Sequence, residues 1–256
     1  MIKMMRSVSL FALAGAALLA QTFNSGSNGS DGALSLTTPG TIDFDPVALG
    51  KDTDGDNVFH FITINIGTGV IVRLKNGLLR GKPVVWLASG AVTITGTLDL
   101  SGQSGYAANS TLVSRLPAEP GPGGYPGGLG AYGAAQPSVG FGPGAMAGFC
   151  GTYGGSAGHA VTGGCGGAAY GNGALVPLRG GSGGGGGPSD RSGGGGGGGG
   201  AIRIASSATI TVSGSILANG GDGGGGGPSA APAAPEAVRA AGRFTSSPTR
   251  SPDLAL

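Results

Sequence analysis

Two stretches decide the fold: WLASGAVTITGTLDLSGQSG at residues 86–105 and RIASSATITVSGSILANGGDG at residues 203–223. They align with one residue inserted in the second copy, Leu87 with Ile204, Ala88 with Ala205, Gly96 with Gly214, Leu98 with Ile216 and Gly102 with Gly220. Each reads as short strands rich in Val, Ile and Thr around a Gly turn. Branched Cβ atoms pack well on a pleated surface, and alternate side chains point to one face. One such ribbon cannot bury its apolar face alone. Two copies therefore point to layers stacked one strand spacing apart over a shared core. Two unrelated hairpins in a small sandwich are the competing reading.

The same character extends outward. Phe61–Ile66 alternates apolar and polar residues, Val70–Leu74 follows the turn Gly67-Thr68-Gly69, and Val84–Ala88, Val92–Ile94 and Thr97–Leu100 continue it. The expected fold is all-β, a short right-handed parallel β-helix or β-solenoid over residues 58–227. A long glycine-rich, partly disordered insertion at 101–200 interrupts it. Residues 21–57 read as a polar N-terminal segment with little periodicity.

The composition sets this chain apart from an ordinary enzyme domain. Of 256 residues, 60 are Gly and 16 Pro, while charged residues make up 10% and aromatics 5%, near the range of low-complexity sequence. Residues 121–200 alone hold 36 Gly, and Gly193–Gly200 is an unbroken run. Ordering Gly carries the largest backbone entropy cost. No strict three-residue period runs through the span, which excludes collagen, so the reading is a projecting loop whose closure cost grows only slowly with length. Tyr125, Tyr132, Phe141, Phe149, Tyr153 and Tyr170 are scattered through it, as an adhesive surface segment would have them. No GxxxxGK[ST] motif is present, so a phosphate loop is not indicated.

The N-terminus reads as a secretory signal over residues 1–20. Lys3 and Arg6 precede an apolar run from Ser7 to Ala20, too short to span a bilayer comfortably. Its removal lowers the 14 basic residues to 12, equal to the 12 acidic ones. A neutral chain gives weak electrostatic steering and no case for nucleic acid. No later segment has the apolar length of a transmembrane helix. In an exported protein Cys150 and Cys165 can form a disulfide closing a short Gly-rich loop. The competing reading, a metal site with His159 between them, lacks a CxxC pair and a fourth ligand.

The β and Gly character stops at residue 228, where an Ala/Pro-rich tail, read as disordered, runs to 256. One explanation is a frameshift near Gly223–Gly227. With free third bases, the frame displaced by two bases translates Arg239 onward as RGGAIHLVANTITGSG, close to GGAIRIASSATITVSG at 199–214. The other is a Pro/Ala linker.

FNSGSNGSDGAL (23–34), DGDNVFHFITINIGTGV (54–70), VVWLASGAVTITGTLDLSG (84–102) and GGGGGGAIRIASSATITVSGSILANGG (195–221) together resemble the glycine-rich secreted surface proteins of bacteria with parallel β-helix-like repeats. The resemblance covers most of residues 21–227 and implies location and architecture rather than an activity.

Candidate chemistry is sparse. Asp52, Asp54 and Asp56 alternate as oxygen ligands of Ca²⁺ do, with Asp43 and Asp45 as helpers if the chain folds back. Asn57 and Thr63 stand where an EF-hand needs Gly and Glu, so the loop is not of that kind, and a solvated acidic turn is the alternative. His60 sits in a β run, and His159 in Gly-rich sequence without rigid support. No GxSxG, HExxH or CxxC motif occurs. Asp99, Arg73, Lys75 and Arg203 are the charges within the β segments, too few for a polysaccharide lyase or hydrolase. Trp86 could stack on a sugar, but in an apolar run it reads as core. The expectation is a non-catalytic structural or adhesive protein, secreted or at the cell surface. A carbohydrate-binding module is the alternative, and a polysaccharide-active enzyme comes third. Extracellular polysaccharide or cell-surface components are the expected partners, with no cofactor beyond Ca²⁺.

Overall fold

The structure is a computed structural model, and it describes residues 23–108, 115–145, 154–172, 174–226 and 253–255. The signal at 1–20, Cys150, Phe149, Tyr153 and residues 227–252 lie outside them.

Strands β1 (Gly32–Leu36), β2 (Gly40–Asp43), β3 (Val58–Ile66), β4 (Val70–Arg73), β5 (Val84–Ala88), β6 (Val92–Ile94), β7 (Thr97–Asp99), β8 (Ile202–Ser206), β9 (Ile210–Val212), β10 (Ser215–Leu217) and β11 (Asp253–Ala255) build two sheets. The larger runs β11-β8-β5-β3-β6-β9, with β1 also on β3, and the smaller runs β10-β7-β4-β2. Every pairing is parallel except β11 on β8. Helix is almost absent among the described residues, where Gly164–Gly166 forms a 3₁₀ turn.

The inward faces are continuous apolar columns. Phe59, Trp86 and Ile204 lie in register, as do Ile66, Ile94 and Val212. In the smaller sheet Ile42, Val72, Leu98 and Ile216 form a third column. Phe44, Phe59, Phe61 and Trp86 make an aromatic cluster with centroids 5.2–5.9 Å apart. All four rings are fully buried, each contributing on the order of 2–3 kcal/mol of hydrophobic stabilisation.

The repeat aligns differently from the sequence-based expectation. Trp86 pairs with Ile204 and Leu87 with Ala205, and the same 118-residue offset links Val92 to Ile210 and Leu98 to Ile216. No residue is inserted. In a ladder of period two, the one-residue difference decides which side chains enter the core. The offset also stacks Gly96 and Gly214 at the corner between the sheets, where a Cβ on Gly214 would stand 1.8 Å from the Gly96 carbonyl oxygen.

The short right-handed solenoid with a partly disordered insertion is not what the described residues show. They form parallel strands in two unequal sheets, and β3 alone pairs with both β5 and β6. The described residues of the glycine-rich span form a packed layer. Gly194, Gly197 and Gly200 donate to the carbonyls of Tyr106, Gln103 and Leu100, and Gly195 and Gly198 to those of Gly128 and Tyr125. Gly181, Gly184 and Gly187 donate to Gly199, Gly196 and Gly193, and Gly221 and Gly224 to Gly197 and Gly194. Bonds at every third residue mark extended threefold segments of the polyproline-II kind. Segment 193–200 runs through the middle, and all eight of its glycines are buried. A Cβ at Gly195 would stand 2.0 Å from the Gly184 oxygen, at Gly196 1.9 Å from that of Gly221, and at Gly198 1.9 Å from that of Gly181. Backbone packs directly on backbone there, and the hydrogen bonds between segments offset the entropy cost that argued for disorder.

Candidate functional site

The loop between β2 and β3 collects most of the ionisable side chains of interest. Carboxylate oxygens of Asp52, Asp54 and Asp56 lie within 4.8 Å of one another. Asp52 is buried and already partnered. Its Oδ2 accepts from the Arg80 guanidinium at 2.6 Å, and its Oδ1 accepts from the backbone N–H of Asp56 (3.1 Å) and Asn57 (3.2 Å). Asp56 Oδ1 accepts from the Val58 N–H at 2.7 Å, and Asp54 is exposed. Asn57 follows with φ 66° and no exposure, its Nδ2 donating to the Leu79 carbonyl at 2.6 Å. Asn tolerates this left-handed geometry. The loop is thus bolted to the segment between β4 and β5, and a cation at Asp52 competes with Arg80.

The helpers lie elsewhere. Asp43 accepts from Arg73 Nε at 2.7 Å and pairs with Lys75 Nζ at 2.6 Å. The hydrogen bond from Lys75, with help from Arg73, holds its carboxyl below the usual carboxylate range. Asp45 Oδ1 accepts from the N–H groups of Val47 and Ala48, closing a local turn. Asp31 was not singled out from sequence, yet it ties three elements: Oδ1 accepts from the Asp52 N–H at 2.9 Å, Oδ2 from the His60 N–H at 2.6 Å, and its carbonyl from Lys51 Nζ. Its signal was the polar NGSDG turn just before β1. Ser25 and Ser27 add a strap, their hydroxyls donating to the carbonyls of Ala88 and Phe61 at 2.7 Å.

His159 is not loosely held. It is 2% exposed, its ring stands edge-on to Tyr170 with centroids 4.9 Å apart, and Nε2 bonds the Arg179 carbonyl at 3.1 Å. Nδ1 has no partner. Burial pushes this imidazole below its usual pKa, and burial likewise raises that of the Tyr170 phenol. A cavity of about 50 Å³ lies between His159, Asn172, Val176 and Arg179, room for a water or two. Cys165 is disulfide-bonded, so it offers no thiolate to a metal beside His159. Cys150 is the one other cysteine in the sequence.

The remaining candidates do not converge. His60 lies on β3, where its Nδ1 accepts from the Asn28 N–H at 3.4 Å. Asp43, Arg73 and Asp99 stand in register across β2, β4 and β7, but Arg73 and Lys75 both engage Asp43, and Asp99 Oδ1 accepts from the Ser101 N–H at 2.9 Å. Arg203 belongs to the other sheet. Trp86 is fully buried and presents no platform to a sugar.

What fold and site define is a parallel-sheet protein laminated with a glycine layer, and among the described residues no helix is long and apolar enough to cross a membrane. Comparison with protein families, with curated proteins and with solved structures gave no match.

Proposed function

We propose that the protein is an exported, non-catalytic scaffold displayed at the cell surface or in the medium, with an adhesive role. The observation that carries this reading is the glycine layer. It is held by backbone hydrogen bonds rather than by a side-chain core, and its surroundings carry exposed apolar residues, Leu116, Phe141, Val161 and Val176, at 48–70% exposure. Outward-facing apolar groups suit contact with another surface. The N-terminal residues, with the features of a secretory signal, support export. Expression of the full chain in a bacterial host tests the reading: cleavage after Ala20 and recovery at the surface or in the medium are expected. Uncleaved protein in the cytoplasm would overturn it. Substituting Phe141 and Val176 together by Ser is expected to lower retention on cells without lowering the melting temperature.

A further inference from the structure

We infer that the protein assembles with copies of itself, the β9–β10 edge of one molecule pairing with the β1–β2 edge of the next. The inference rests on backbone geometry and stands apart from the proposed surface role.

Among the described residues, β9 and β10 end their sheets on one side, and β1 and β2 end them on the other. Hydrogen bonds already formed fix which backbone groups remain at each edge. Val92 donates to the Thr209 carbonyl and Ser213 to that of Ile94, so alternation turns the backbone groups of Ile210 and Val212 to the open side. In β10, Ser215 donates to Gly96 and the Leu217 carbonyl accepts from Leu100, which leaves Ile216 facing outward. At the other end, the Leu36 carbonyl accepts from Gly67, so β1 turns Ser35 outward. Gly40 donates to Gly69 and Phe44 to Arg73, so β2 turns Thr41 and Asp43 outward. The two ends are therefore complementary in phase, and their strands run in one direction. Stacking repeats the pairing found inside the molecule, with Leu36 of the next copy continuing the Ile66–Ile94–Val212 column and its Ile42 continuing the Val72–Leu98–Ile216 column.

The apolar surface agrees. The core residues left partly open are Leu36 and Ile42 at one end and Ile210, Val212 and Ile216 at the other. Soluble proteins blunt such edges with Lys, Pro or bulges. None of Ile210–Val212, Ser215–Leu217 or Gly32–Leu36 is charged or Pro, the register shift in β1 falls between Gly32 and Leu34, short of the Ser35–Leu36 end that would pair, and Asp43 is neutralised by Arg73 and Lys75. β11 lies on β8, clear of β9 and β10. A second copy is the occupant that fits both edges, and a head-to-tail contact of this kind does not close, giving open chains.

Sedimentation of the full chain over a concentration series tests this. The weight-average mass is expected to rise without a plateau. Val212→Pro removes an outward N–H at one edge, and Ser35→Pro does so at the other. Each variant alone is expected to stay monomeric, while their mixture forms a heterodimer and nothing larger, since each blocks a different end. Ile216→Lys, whose side chain sits at the stack end, is a second blocker for the β10 side should Val212→Pro fold poorly by circular dichroism. Wild-type protein that stays monomeric up to its solubility limit would overturn the inference, as would one that stops at a dimer indifferent to these substitutions.

Discussion

Trp86 lies directly opposite Ile204 on the parallel ladder of β5 and β8, 118 residues apart in the chain, and both side chains are fully buried. That contact joins the two copies of the repeat and closes the aromatic cluster on its β8 side.

Truncating either residue opens a cavity in the shared core. Trp86→Ala is expected to cost about 3–5 kcal/mol and Ile204→Ala about 2–5 kcal/mol. The double variant is expected to lose less than the sum, by about 0.5–3 kcal/mol, because the residues occupy one packing site. Leu87, half-buried on the opposite face, is expected to cost about 1 kcal/mol as Ala. Urea denaturation of the four variants measures all of this. Equal losses at Trp86 and Leu87 would put the register off by one.

The glycine layer makes a sharper forecast. At Gly198 a Cβ would meet the Gly181 oxygen at 1.9 Å, whereas at Gly225 nothing lies within 4 Å. Gly198→Ala is expected to destabilise by about 3 kcal/mol or more through forced backbone separation, and Gly225→Ala to change stability by less than about 0.5 kcal/mol. Melting curves of the two side by side decide it, and a tolerated Ala at 198 would mean the segments are not in contact.

Arg80 stands where a cation would otherwise be needed. With Asp52 neutralised by its guanidinium, wild-type protein is expected to gain little stability from Ca²⁺. Arg80→Ala leaves Asp52, Asp54 and Asp56 uncompensated within 4.8 Å of one another. If that variant binds in the millimolar range common for extracellular sites, tenfold excess Ca²⁺ stabilises it by about 1.4 kcal/mol. Thermal shifts with Ca²⁺, and with Mg²⁺ as control, measure the difference, and an equal response in wild type and variant would remove Arg80 as the competitor.

How much of this was legible in the sequence depended on what kind of group does the binding. The strands from Val58 to Asp99 and from Ile202 to Leu217 announce themselves because Val, Ile and Thr alternate there. β1 and β2 escaped notice since Gly32–Leu36 and Gly40–Asp43 are short and sit among polar turns, taking their structure from β3 and β4. The glycine layer is hidden from the sequence for a physical reason. Its three-residue period is local and shifts phase between segments, as at Gly121, Gly124, Gly127 and Gly130 and again at Gly180, Gly183 and Gly186, so a test for one period across the whole span fails. Backbone-to-backbone packing leaves no side-chain pattern to read. The acidic trio was visible, but the partner that decides its charge state, Arg80, comes 28 residues after Asp52 and reaches it only through the fold.

His159 gives the pH dependence. Its folded-state pKa is below the ordinary value near 6.5 because burial disfavours the imidazolium. The unfolded chain therefore takes up a proton at a higher pH than the folded one. The stability linked to this residue is fully present above about pH 6.5 and is lost as the pH falls from there toward the folded-state value, with a slope of at most about 1.4 kcal/mol per pH unit. His159→Phe keeps a ring against Tyr170 and gives up only the bond to the Arg179 carbonyl. It is expected to be somewhat less stable than wild type at pH 7.5 and to show a shallower decline between about pH 6.5 and 5. Stability measured by denaturant titration at each pH separates the two curves, and parallel curves would place the lost proton on some other group.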